Sequence, residues 1–143
     1  YSWCIFSWDG KIEENAQLKY LMHSSDIPAT ILDYLGIEIP KNFYGKSYKT
    51  AIDGDTFYGR EEIIGNITTT RSFEDMMGKP TEGYWIRNEE WFLNWNITEN
   101  HIGLFNMKND QNNDVNLASE KPEMVNTMIG RIKEWKDEIK GVR

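Results

Sequence analysis

The chain has 143 residues, enough for one domain and short of two of typical size. Sixteen Lys and Arg against 23 Asp and Glu leave a formal charge of −7, which repels phosphate backbones and argues against nucleic acid or an anionic membrane as partner. Hydrophobic residues at 39% and charged residues at 27% fit a globular fold, no apolar run approaches the roughly 20 residues of a bilayer span, and the single cysteine, Cys4, excludes an internal disulfide and a Cys-rich metal site.

The chain opens at Tyr1 with no Met, no basic leader and no small-residue cleavage site, so it reads as a processed product or a piece of something larger. Residues 2–8, Ser-Trp-Cys-Ile-Phe-Ser-Trp, are apolar nearly throughout, which predicts a strand covered on both faces with Cys4 in the core. Asp9-Gly10 ends it with a turn. Such a strand needs neighbours, and no other segment reads as its parallel partner.

A helix is predicted over 26–35. Asp26 is its expected N-cap, Pro28 sits in the tolerant first turn, and Gly36 stands at C′. Ile27, Ile31, Tyr34 and Leu35 make an apolar stripe on it. Pro40 and Gly45 then open a loop that runs to about Asp55.

Glu62 to Ile67 reads as a strand. The polar stretch 68–83 has no period and is long for a connector, a length more often met in functional loops. Gly83–Arg87 and Trp91–Asn96 form a hairpin around Asn88-Glu89-Glu90, with Trp91, Leu93 and Trp95 on one face of the second arm and Phe92 and Asn94 on the other. Gly103–Met107 supplies a further strand, and the Asn/Asp-rich 108–120 is turn-like. From Pro122 onward, Val125, Met128, Ile129, Ile132, Trp135 and Ile139 follow a helical spacing that Gly141 ends. The expected fold class is α+β: an antiparallel sheet of three to four strands packed against a long C-terminal helix, with a leading strand and helix before it.

Few residues carry obvious chemistry. His23 can protonate a leaving group or can simply stand at the start of a helix. His101 reads as a solvated loop residue, and Arg87 as half of a strand-end ion pair. Asp110, Asn112 and Asp114 are spaced like the start of a calcium loop, but Val115 and Lys121 stand where that loop needs Gly and Glu, so the stretch reads as a turn and no metal ligand is assigned. Trp85, Trp91 and Trp95 raise the alternative of a stand-alone glycan-binding module, provided their rings are exposed and coplanar.

Three stretches stand in order: Ser25-Asp26-Ile27-Pro28-Ala29-Thr30-Ile31-Leu32-Asp33-Tyr34-Leu35-Gly36 with Gly45-Lys46-Ser47, then Tyr84-Trp85-Ile86-Arg87 through Leu93, then Gly103-Leu104-Phe105-Asn106-Met107 with Asn116-Leu117-Ala118 and Pro122-Glu123. Together they resemble the carboxyl-terminal part of the sulfatase family in the alkaline-phosphatase-like superfamily. Trp3 to Lys11 resembles the strand that precedes the first of them. The sequence departs from the family pattern at Pro28, at Ser24 (where the family often has His), and at Phe92, Asn106 and Gln111. The resemblance implies that residues 1–55 end an α/β catalytic domain and 56–143 form a C-terminal subdomain. It implies a parent enzyme that hydrolyses sulfate esters with calcium and a formylglycine made within a C/S-x-P-S-R motif. No such motif occurs here, so no catalytic residue and no cofactor is expected in this chain, which alone should be inactive.

The expected partners are the missing N-terminal catalytic domain of the same polypeptide and a sulfated glycan or aryl sulfate. Loops of this subdomain border the substrate pocket in the family, which makes Arg71, Glu74, Arg87 and His23 the candidate substrate contacts; Arg71 can grip a sulfate or carboxylate by a bidentate fork. Phosphodiesterases and phosphonate hydrolases share the tail architecture and stand as the alternative. The resemblance also makes a periplasmic or secreted parent the expectation.

Overall fold

The computed structural model describes residues 4–67 and 82–140. The chain divides into two compact units, Tyr1–Arg60 and Glu61–Arg143.

The first unit begins irregularly. Residues 4–8 form no strand, contrary to expectation. No described strand pairs with them, and a lone strand has no ladder for its N–H and C=O groups; residues 2 and 3 of the expected strand lie outside the described residues. Ile5 is 89% exposed and Cys4 is exposed too, so the thiol is not a core residue. The turn at Asp9-Gly10 is present: the Trp8 carbonyl accepts the N–H groups of Lys11 and Ile12, both at 3.0 Å, and Gly10 takes φ +68°.

Helix α1 spans Asp26–Tyr34. Its C-terminus follows the Schellman pattern. Gly36 lies at φ +69°, its N–H donates to the Asp33 carbonyl, and the Ile37 N–H donates to the Leu32 carbonyl at 2.9 Å. The N-terminus differs from expectation, because Ser25 is the N-cap and Asp26 is the first helical residue. The buried face differs too. Asp26, Ala29 and Thr30 are buried, whereas Ile31 and Leu35 of the apolar stripe are exposed. Hydrogen bonds set this orientation: Thr30 Oγ1 donates to the Asp26 carbonyl at 2.7 Å and accepts the Tyr48 N–H at 3.0 Å. Within the expected loop lies an unforeseen single turn of helix, α2 (Lys49–Ile52), which buries Ala51 and Ile52. Beside it the rings of Tyr20, Tyr48 and Phe57 pack together, with centroids 4.7–6.2 Å apart.

The second unit is the α+β fold. Strands β1 (Glu62–Ile67), β2 (Gly83–Asn88), β3 (Trp91–Asn96) and β4 (His101–Asn106) form an antiparallel sheet in the order β1-β2-β3-β4. The β2–β3 turn is held by Asn88, whose Oδ1 accepts the N–H groups of Glu90 (3.0 Å) and Trp91 (2.7 Å). The register aligns Ile64, Ile86, Leu93 and Leu104 in one rung across all four strands. Helix α3 (Pro122–Lys140) lays Val125, Met128 and Ile132 on that rung. The 3- and 4-residue steps between them place all three on one stripe. Gly141 lies outside the described residues.

On the opposite face the Trp85 ring lies over Gly65 and the Phe105 ring over Gly103. A Cβ at either glycine would stand 2.6 Å from the ring, so any other residue there would force the ring to shift. Strand β4 is an edge, and the following loop seals it. Asn116 Oδ1 accepts the Leu104 N–H, its Nδ2 donates to the Ile102 carbonyl, both at 3.0 Å, and the Leu117 N–H donates to the Leu104 carbonyl at 2.8 Å. Asn116→Ala should therefore orphan a donor on a fully buried residue and lower stability by about 1–3 kcal/mol, read from urea unfolding. A loss within about 0.5 kcal/mol would show that water replaces the carboxamide.

Candidate functional site

The first unit holds the most concentrated polar cluster around Asp26. Helix α1 aims its first carboxylate inward, where it is fully buried. Its Oδ2 accepts the His23 N–H at 2.7 Å and its Oδ1 the Lys46 N–H at 2.8 Å. Arg60 closes the ring: Nε donates to both oxygens at 3.2 and 2.9 Å, and Nη2 to Oδ1 at 2.6 Å. Nη2 also donates to the Tyr44 carbonyl at 2.8 Å, and the guanidinium lies 4.8 Å from the centre of the Tyr44 ring. Burial alone would raise the Asp26 pKa, but the Arg60 bonds and the two backbone donors outweigh it, so the carboxyl is held below its ordinary 3.8.

His23 stands on the rim of this cluster, edge-on to Tyr44 with centroids 5.3 Å apart. Its Nδ1 accepts the Ser25 N–H at 3.2 Å and lies 2.8 Å from Ser25 Oγ. That assignment leaves the proton of the neutral ring on Nε2. Burial lowers the His23 pKa and Arg60 lowers it further, against an opposing pull from Asp26. The ring is therefore neutral at physiological pH and can donate or accept a hydrogen bond without carrying charge. Lys46 turns outward, donates from Nζ to the Tyr58 carbonyl, and lies 4.9 Å from the Phe57 ring centre.

Of the four predicted substrate contacts, His23 lies in this first-unit cluster. Arg87 lies in the second unit, on β2, in register with Ile63 and Phe92 on the face away from α3. Arg71 and Glu74 lie outside the described residues. The cluster's anchors, Asp26 and Arg60, were missed as a pair, since 34 residues separate them and neither stands in a catalytic motif. Trp91 and Trp95 do not form an exposed platform: both pack against the core beneath α3, with Lys121 and Lys133 over their rings at 5.5 and 5.9 Å. Among the described residues no three His, Cys, Asp or Glu side chains converge as a metal-holding group. Asp110 instead spends its two oxygens on the N–H groups of Asp114 and Val115, both at 2.9 Å. Among the described residues no helix is long and apolar enough to cross a membrane.

The described residues of the first unit line surface cavities. One, of about 650 Å³, opens between Trp8 and the facing sides of α1 and α2. Another, of about 550 Å³, runs between the irregular leading segment and Tyr48 and Ile52.

No protein-family profile matches the chain, and no curated protein matches it. Solved structures do. A candidate sulfatase, yidJ from Bacteroides fragilis, is 18% identical with a TM-score of 0.72, over 94% of this chain and 29% of its own. A 2-O glycosaminoglycan sulfatase is 18% identical with a TM-score of 0.70, over 80% of this chain and 24% of its own. A phosphonate monoester hydrolase from Silicibacter pomeroyi is 15% identical with a TM-score of 0.67, over 90% of this chain and 27% of its own. The architecture is thus one found in hydrolases of sulfate and phosphonate esters. More closely, the four-stranded antiparallel sheet with its closing helix has the fold of a sulfatase C-terminal subdomain. The chain spans about a quarter of the length of the solved structures it matches.

Proposed function

We propose that this chain acts as the C-terminal part of a sulfatase-type hydrolase, completing the fold of a catalytic domain and bordering its substrate pocket. The observation that carries this is the imbalance of the first unit. Its described residues bury four apolar side chains, Ala29, Tyr48, Ala51 and Ile52, while ten large ones stand exposed, among them Ile5, Ile31, Leu35 and Ile37. The described residues of the second unit expose two, Val115 and Ile139. We read these exposed side chains as a docking surface, and the occupant proposed is the catalytic domain of the same polypeptide. The sulfatase structures supply the class of reaction. Their chemistry needs a nucleophile and cations to neutralise charge building on the sulfate oxygens, and the proposed catalytic domain brings these, as formylglycine and calcium. The Asp26–Arg60 pair would hold α1 in place, and His23 in the first unit and Arg87 in the second are each, separately, candidate substrate contacts.

The phosphonate monoester hydrolase among the structural relatives supports a second reading, in which the parent cleaves phosphonate or phosphodiester bonds. The two differ in the nucleophile of the parent.

The test uses the purified chain with p-nitrophenyl sulfate, alone and mixed with a separately expressed catalytic half. The chain alone is expected to give no turnover above the buffer rate. Mixed, the two should associate, and amides around Ile31 and Leu35 should exchange more slowly. Turnover by the chain alone, or no protection on mixing, overturns the reading.

A further inference from the structure

Ser25 is the N-cap of α1, yet its hydroxyl makes no capping bond to the helix. An N-cap hydroxyl ordinarily satisfies one of the free N–H groups of the first turn. This one turns back to His23 instead, and its Oγ lies 2.8 Å from Nδ1. A second bond fixes the direction of the first. The Ser25 backbone N–H also meets Nδ1, at 3.2 Å, and a backbone N–H can only donate. Nδ1 is therefore the bare nitrogen, Oγ donates to it as well, and the proton of the neutral ring sits on Nε2.

The rest of the residue is held around that pair of bonds. The His23 N–H donates to Asp26 Oδ2 at 2.7 Å, and its carbonyl accepts the Asp26 N–H at 2.9 Å. The Tyr44 ring stands across the imidazole at 83°. The charged groups beside it, the Asp26 carboxylate and the Arg60 guanidinium, are paired with each other. Nε2 is not buried, and its N–H goes to no described residue.

We infer that Ser25 is a positioning residue for His23: it locks the imidazole in the Nε2–H tautomer, so that the ring offers a sulfate oxygen one uncharged hydrogen-bond donor. The inference rests on the reading above, in which His23 is a candidate substrate contact, and adds the atom that makes the contact and the partner that aims it. A sulfate ester is anionic and without a proton near neutral pH, so its oxygens only accept. The opposite tautomer would turn the Nε2 lone pair on those oxygens and repel them. An imidazolium would also donate, but its Nδ1 would then carry a proton, and both Ser25 bonds would be lost.

Long-range proton–nitrogen NMR of the full chain at about pH 8, where an imidazole of ordinary pKa is neutral, reads the tautomer directly. The chain has two histidines, and the exposed His101 serves as the solvated reference. His23 should show the Nε2–H pattern alone, and His101 the mixture of a free ring. Ser25→Ala should move His23 towards that mixture, whereas Ser25→Thr, which keeps the hydroxyl, should not. Because the hydroxyl caps nothing, the circular dichroism of both variants should match the parent. Mixed with the catalytic half, Ser25→Ala should lower kcat/KM for p-nitrophenyl sulfate about two- to tenfold, the weight of one neutral hydrogen bond, and Ser25→Thr should restore it. A parent His23 pattern like that of His101, or one that ignores Ser25→Ala, overturns the inference. So does full activity of Ser25→Ala in a mixture that turns over. A parent mixture without turnover overturns the hydrolase reading instead, and the NMR result still decides the tautomer.

Discussion

Asp26→Ala should destabilise the first unit by about 3–5 kcal/mol, because it leaves the Arg60 guanidinium, most of it buried, without its counter-charge. The loss should appear as faster amide exchange at Thr30, Tyr48 and Ala51, with little change in the sheet. The pH dependence carries a sign. The folded-state pKa of Asp26 lies below its ordinary 3.8, so its contribution is complete above that value and is lost as pH falls through the lowered one. His23 acts in the same direction at higher pH. Its folded pKa lies below 6.5, so the unfolded chain binds the proton first and stability falls as pH drops below 6.5. In the variant the limb below 3.8 should flatten. A loss under about 1 kcal/mol, or an unchanged acid limb, would show that the pair is dispensable.

The second large effect belongs to the sheet. Leu93 is fully buried at the centre of the rung, paired with Ile86 on β2 and Leu104 on β4 and covered by α3. Leu93→Ala removes three buried carbon atoms where neighbours on every side are fixed by the ladder or the helix. The cost expected is about 2–5 kcal/mol, towards the upper end because the site cannot collapse. Ile139→Ala, at an exposed position, should stay within about 0.5 kcal/mol. Urea unfolding followed by tryptophan fluorescence checks both, and equal effects would contradict the packing described.

The second unit was largely legible in its residues. Alternation in Trp91–Asn96 separated the face under α3 from the face of Phe92, which indeed stacks on Phe105 instead. The stripe of Val125, Met128 and Ile132 needed nothing beyond its spacing. The first unit was misread where local pattern competes with long-range bonds. Ile31 and Leu35 have the period of a core face, yet α1 turns Asp26 and Thr30 inward, because Arg60 and Tyr48 bind them from 34 and 18 residues away. Periodicity locates a stripe without saying which stripe is covered. Helix α2 escaped because one turn carries too few residues to show a period. The apolar run at residues 2–8 reads as a strand, but a strand is defined by its neighbours, and hydrophobicity does not supply them. Part of the candidate site was visible as His23; the Asp26–Arg60 anchor was not, since only tertiary folding brings its halves together.

The carboxamide of Asn116 has a consequence for behaviour in concentrated solution. By occupying the open rim of β4 it denies that rim to a second molecule, so copies of this chain cannot add there strand upon strand. With the Leu117 N–H it closes this one edge to a stacking process that has no natural end, and it does so without the length of sequence that another strand would need.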